Sequence, residues 1–181
     1  MKRFYFIFAF VFLVACSNDD DNINTSSPNN FLKLDDAEIE LKAGVIEDFG
    51  LYETNLYNFD ITLINSNLVE VDGELTTEEP IITGIYFELF TNSENDLSTG
   101  TYNLVDVNDI SNQTFAFAEV AENVDTTSIN ETGLFTELVS GTLEVLSNAP
   151  DYEIEFIGID SSGRTISGYY KGDLSSLEFF D

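Results

Sequence analysis

From Phe31 onward, apolar residues recur at every second position. Tyr57, Phe59, Ile61 and Leu63 alternate with Asn58, Asp60, Thr62 and Ile64, and Ile85, Phe87 and Leu89 alternate with Tyr86, Glu88 and Phe90. This period puts successive side chains on opposite faces of an extended chain, so each run predicts a strand with at least one buried face. The pattern returns in Ile39/Leu41, in Tyr102/Leu104, in Phe115/Phe117 with Ala116/Ala118 opposite, in Val139/Leu143/Val145, in Tyr152/Ile154/Phe156 and in Ile166/Tyr170. About nine or ten strands follow from this count. Turn-forming residues fall where the alternation lapses, at Asp35-Asp36, Asn92 to Gly100, Ser147 to Asp151 and Asp160 to Gly163. The last three strands, about Leu138 to Leu146, Asp151 to Ile159 and Arg164 to Leu174, therefore form a meander. Glu122 to Thr136 has no sustained period and is expected to be a long loop or irregular edge. Residues 31–181 are expected to make a single all-β domain, an antiparallel β-sandwich, with a small up-and-down β-barrel as the alternative. A barrel would offer a ligand its mouth, whereas a filled sandwich would bind through end loops or an outer face.

The N-terminus carries a different signal. Lys2 and Arg3 precede eleven uninterrupted apolar residues, Phe4 to Val14, a run too short to span a bilayer and suited to a secretory signal peptide over 1–15. Leu13-Val14-Ala15-Cys16 resembles the lipobox of bacterial lipoproteins, which implies cleavage before Cys16 and lipidation of that residue. Each buried acyl methylene adds about 0.8 kcal/mol to membrane partitioning, so two or three chains hold a protein on the bilayer almost permanently. Residues 16–30, the lipidated Cys followed by SNDDDNINTSSPNN, are too polar to fold and read as a disordered acidic tether. Those fourteen residues span roughly 20 Å as a coil and on the order of 45 Å stretched. The acidic stretch behind Cys16 resembles the export signal of lipoproteins of the Bacteroidota, which implies an outer-membrane location facing the cell exterior.

The chain holds 34 Asp+Glu against 6 Lys+Arg, and removal of residues 1–15 takes two of the cations and none of the acids. Between Lys42 and Arg164 there is no basic residue at all among 24 acids, nine Asp and fifteen Glu. Nucleic acid is excluded as a partner, because phosphate backbones need a basic face. With no His and a single Cys, no His general base, no Cys-His pair, no zinc or copper site of N/S ligands and no intrachain disulfide is available. A Ser nucleophile would need Lys as its base, and Lys33, Lys42 and Lys171 lie in no Ser-x-x-Lys arrangement. Carboxylate pairs suited to glycoside hydrolysis are inevitable in so acidic a chain, and none is marked by the sequence as buried or opposed. Trp is absent, so only Tyr and Phe remain to stack on a sugar.

No cofactor motif is present. Calcium is the candidate ion, since hard oxygen ligands are what the chain has in quantity. Asp106, Asn108 and Asp109, with Ser111 and Asn112, form the densest cluster of loop oxygens, without EF-hand spacing or its glycine. As a solvated turn the same cluster is ordinary. Glu74, Glu78 and Glu79 form a second acidic loop. Tyr169 and Tyr170 are neighbours in a strand and are expected to face opposite ways, while an outward Tyr86 would cover its cross-strand neighbours. Asp125-Thr126-Thr127 resembles an O-glycosylation acceptor of the Bacteroidota.

The runs Tyr57 to Leu63 and Gly84 to Phe90, the start Gly100-Thr101-Tyr102 and the ending Ile166 to Leu174 are similar to uncharacterised outer-membrane or surface lipoproteins of the Bacteroidota with a C-terminal β-domain. The similarity covers most of residues 31–181 and implies fold and location, with no catalytic or binding residue carried over. The expected function is therefore a lipid-anchored, non-enzymatic cell-surface lipoprotein, monomeric, that binds or scaffolds a glycan or protein ligand. The alternatives are a carboxylate-pair polysaccharide hydrolase and a purely structural envelope protein.

Overall fold

A computed structural model describes residues 29–128 and 132–176. The expected signal peptide over 1–15, Cys16 and nearly all of the expected tether lie outside the described residues. Thirteen strands form in chain order. They are β1 (Phe31–Leu34), β2 (Ala37–Glu40), β3 (Ala43–Glu53), β4 (Leu56–Ile64), β5 (Leu68–Val71), β6 (Glu74–Thr77) and β7 (Ile81–Thr91), followed by β8 (Gly100–Leu104), β9 (Thr114–Asp125), β10 (Leu134–Ser147), β11 (Tyr152–Asp160), β12 (Thr165–Gly172) and β13 (Ser175–Ser176). The all-β class read from the alternation holds. The strands exceed nine or ten because β1, β5, β6 and β13 have four residues or fewer, too short for a period to show.

Eleven strands make one curled sheet in the order β13-β3-β4-β7-β9-β8-β10-β11-β12-β1-β2, and β5 and β6 form a separate hairpin. The pairings are antiparallel except β8 with β9 and β13 with β3, so the sheet is mixed. The expected meander is present as β10-β11-β12. Two short connections force the curl. Leu41-Lys42 joins β2, the last strand of the order, to β3, the second, and Asp173-Leu174 joins β12 to β13 at the opposite edge. A two-residue link spans only about 7–10 Å, so the ends of the sheet must approach each other.

The two facing leaves of this continuous sheet enclose one core. Phe87 on β7 meets Phe156 on β11 with ring centroids 5.2 Å apart at 62°, an edge-on contact across the interior. Phe59, Phe115, Leu143, Ile154 and Ile166 fill the space around them. Three glycines sit where a side chain would not fit. A Cβ at Gly168 would collide with the Phe156 ring, and at the opposed pair Gly141 and Gly158 Cβ atoms would lie 2.7 and 2.6 Å from the Ile157 and Ser140 carbonyls. The interior is therefore packed with side chains, and ligand space is found on the outside.

Three sequence readings are corrected by the pairings. The two ends of Glu122 to Thr136 are sheet, because β9 runs to Asp125, β10 starts at Leu134, and Leu134 to Glu137 pair with Glu122 to Glu119, so the connection is shorter than expected. Phe115 and Phe117 do not share a face. The register shifts by one between Glu88 and Leu89, a β-bulge that turns Phe115 into the core and Phe117 outward against Tyr86. A second bulge between Leu138 and Ser140 turns Leu138 inward and leaves Val139 exposed.

Candidate functional site

The outer faces of β3-β4-β7-β9 and of β8-β10-β11-β12-β1 carry different chemistry. On the first, cross-strand register sets Glu47, Asp60, Glu88 and Phe117 in one row and Thr62, Tyr86, Glu119 and Glu137 in the next. Asp60 is only 8% exposed and accepts hydrogen bonds from the Tyr86 hydroxyl and from Asn58 Nδ2. Burial pushes its carboxyl above the usual range, against the lowering effect of those two donors. Glu47 and Glu88 are raised too, by burial first and then by the charge of Asp60 opposite each of them. Burial and the Asp60 carboxylate hold the Tyr86 phenol far above its ordinary value, so it stays a donor.

A carboxyl whose folded value is raised contributes stability that is complete below its unfolded value and is lost as pH rises through the folded one. Asp60→Asn keeps an acceptor for Tyr86 and removes the charge. It is therefore expected to stabilise the domain near neutrality by on the order of 1 kcal/mol. Urea midpoints of the variant and the parent should converge below pH 4. A variant no more stable than the parent at pH 7 would show that burial of Asp60 carries no electrostatic cost.

The second outer face holds a groove of about 450 Å³, inside the range of ligand sites. Its rows follow from the register: Thr101, Glu144, Glu155, Tyr169 and Phe31 lie side by side, and Thr142, Ile157 and Ser167 form the next row. Phe31 and Ile157 supply apolar surface, Ile157 being 57% exposed. Tyr169 is buried beneath them and donates its hydroxyl to Glu153 Oε1 at 2.8 Å, while Lys171 Nζ holds Glu153 Oε2 at 2.7 Å. Its neighbour Tyr170 points the other way, into the core, donating to the Asp173 carbonyl at 2.7 Å, and burial pushes its phenol up to about 12. The expected opposition of the two tyrosines holds. Glu144 and Glu155 are exposed and directly opposite each other, with no hydrogen bond or ion pair to any described residue.

A second cavity of about 380 Å³ lies at one end of the sheet, against Asp48, Asp96, Pro150, Tyr152 and Asp173. Its polar groups are largely engaged in structure. Asp96 Oδ1 accepts from the Tyr152 hydroxyl at 2.6 Å and Leu97 N at 2.8 Å, Oδ2 accepts from Ala149 N at 3.1 Å, and Asp48 Oδ1 accepts from Gly50 N at 2.7 Å. The Asp96 bonds to Ala149 and Tyr152 tie the loop before β8 to the β10-β11 turn, and burial with the Asp96 bond raises the Tyr152 phenol well above its usual value.

The loop oxygens named as a calcium candidate form a capped 3-10 turn over Val107–Asp109. Asp106 Oδ1 accepts from Asn108 N at 3.0 Å and Asn108 Nδ2 at 2.6 Å, bonds that hold the exposed Asp106 carboxyl below its ordinary range. Asp109 offers its backbone N to the Asp106 carbonyl at 2.8 Å. In the second acidic segment Glu74 belongs to β6 and Glu78 Oε2 accepts from Asn67 Nδ2 at 2.8 Å. Among the described residues no three Asp, Glu or Cys side chains converge on a point a metal ion would occupy. Thr126 bonds the Pro80 carbonyl and Thr77, and Thr127 bonds Asp125 Oδ1, so both hydroxyls of that candidate acceptor are engaged. No helix among the described residues is long and apolar enough to cross a membrane.

No protein-family model, curated protein or solved structure matches this chain. The groove therefore rests on its own geometry. Sequence reading did not find it, because its rows join residues from β8, β10, β11, β12 and β1. The available signal was weak: Glu144, Glu155 and Ile157 occupy the outward phase of strands whose inward phase is Leu143, Val145, Ile154 and Phe156.

Proposed function

We propose that this chain is a lipid-anchored, non-enzymatic lipoprotein of the Bacteroidota type, held on the outer membrane through Cys16, with its β-domain facing the cell exterior and binding or scaffolding a partner there. The observation that carries the binding reading is the outer-face groove, where Glu144 and Glu155 stand unpaired beside Phe31 and Ile157. By contrast, Asp96 and Asp160 are engaged in holding turns and strands. The lipobox, the acidic stretch behind Cys16 and the polar tether support the anchor and its orientation. Phe31, at the end of that tether, is also a wall of the groove.

Protease shaving of intact cells tests this reading. The domain should be lost while a periplasmic control protein survives, and Cys16→Ser should release the protein from the membrane fraction. Full protection of the domain would refute surface display, and membrane retention of the Cys16→Ser variant would refute the anchor. The hydrolase reading draws on one observation, the raised carboxyls of Asp60 and Glu88 on adjacent strands. Polysaccharide turnover abolished by Glu88→Gln would replace the binding reading with it.

A further inference from the structure

The groove contains an unresolved electrostatic conflict. Glu144 and Glu155 are cross-strand partners, and like charges directly opposite each other in an antiparallel pair destabilise it. At Asp60 the same conflict is met from within, by the donors Tyr86 and Asn58. Glu144 and Glu155 have no donor among the described residues, although a single Lys or Arg opposite either one would supply it. The nearest cation in register is Lys171, diagonal to Glu155 on the adjacent strand, and its Nζ is engaged by Glu153 Oε2 at 2.7 Å, while Lys33 stands one strand further off, beyond Ser167 and opposite Glu38. Violations of local rules without internal compensation concentrate at functional sites. Beside the pair lie an exposed aliphatic side chain, Ile157, the ring of Phe31, and the hydroxyls of Thr101, Thr142 and Ser167.

We propose that the groove takes an extended cationic peptide segment of a partner protein, with lysine or arginine side chains on Glu144 and Glu155 and an aliphatic side chain against Ile157 and Phe31. The inference rests on the binding reading above and names the class of its ligand. Charge complementarity selects a cation, since the two opposed carboxylates have no donor and the strands that carry them, β10 and β11, hold five acids and no base. The apolar floor selects a peptide over a bare polycation, because burying the aliphatic side chain adds stabilisation that salt does not screen. A volume of about 450 Å³ accommodates a few side chains, so the segment is short.

The test measures anisotropy of a labelled lysine-leucine hexapeptide with the purified full chain in detergent at about 0.15 M salt, where distant charges are largely screened. Serine-leucine and glutamate-leucine hexapeptides and a neutral oligosaccharide serve as comparisons. The cationic peptide should bind at least tenfold more tightly than the serine peptide. Glu144→Gln/Glu155→Gln should weaken it about tenfold, and Ile157→Ser should weaken it about fivefold, for a site that uses both charge and apolar contact. Glu70→Gln/Glu74→Gln, which removes the same charge from the exposed β5-β6 hairpin, should change it less than twofold. Equal weakening in the two double variants would reduce the binding to overall charge and overturn the inference. Groove-dependent binding of the serine peptide or the oligosaccharide, lost in Ile157→Ser, would overturn the ligand class while leaving the groove as a binding site. Absence of any groove-dependent binding would overturn the inference and leave surface display to the shaving result.

Discussion

Replacing Phe87 with alanine is expected to destabilise the domain by about 4 kcal/mol, the cost of a large cavity in a core that cannot collapse around it. Phe87 is 0% exposed and touches both leaves of the sheet, meeting Phe115 at 5.7 Å and 84° and Phe156 at 5.2 Å and 62°. Each such edge-on pair adds about 1 kcal/mol beyond area burial. Phe156 is trapped from the other side by Gly168, so it has little freedom to fill the void. The urea midpoint should fall with the slope of the transition unchanged. Phe87→Leu should recover most of the loss, since it keeps most of the volume. Because Phe156 and Gly168 also border the groove, the alanine variant should bind the groove ligand more weakly even where it is folded. A loss under about 1 kcal/mol would mean that the two leaves do not depend on this contact.

Arg164→Met is expected to cost roughly 3 kcal/mol, by removing the cation from a nearly buried acid. Asp160, 1% exposed, caps the β11-β12 turn: its Oδ1 accepts from Ser162 N, Ser162 Oγ and Arg164 N, and its Oδ2 accepts from Arg164 Nε at 2.8 Å. Arg164 Nη1 also lies 2.7 Å from Glu122 Oε1, an ion pair not aligned as a hydrogen bond, which links this turn to β9. Burial by itself would raise the Asp160 carboxyl, but the Ser162 and Arg164 donors together outweigh it and hold the carboxyl below its ordinary range. A depressed carboxyl contributes stability that is present above its unfolded value and lost as pH falls through the folded one. The cost of Arg164→Met should therefore be greatest near neutrality and shrink on acidification, opposite in sign to the Asp60 effect. Melts at pH 7 and at about pH 3.5, near the unfolded carboxylate value, check this, and Asp160→Asn/Arg164→Met should regain part of the loss. A cost independent of pH would assign the effect to packing of the arginine stem alone.

Much of the fold was legible because long strands with one buried face write their period into the sequence. Tyr57 to Ile64 and Ile85 to Phe90 were readable in this way, and the β10-β11-β12 meander followed from turn residues at Ser147 to Asp151 and Asp160 to Gly163. The bulges at Ala116 and Val139 were invisible, since one extra residue in one strand reverses the face of every later side chain and depends on the partner strand. The short strands β1, β5, β6 and β13 carried too few residues to show a period. The candidate site was less legible still. Asp106, Asn108 and Asp109 attracted notice through local density, and their proximity proved to be that of a capped turn. Glu144 and Glu155 are eleven positions apart and looked like any other acids of the chain.

The sequence by itself determined the all-β class, the want of His and of an intrachain disulfide, and a strongly acidic composition. These follow from composition and local period, which need no knowledge of what each strand pairs with. Only the tertiary structure decided that the two leaves are one curled sheet, which acids are buried and which are exposed, and that two glutamates meet beside Ile157 and Phe31. Those outcomes depend on register between strands distant in the chain, where a shift of one residue exchanges core for surface.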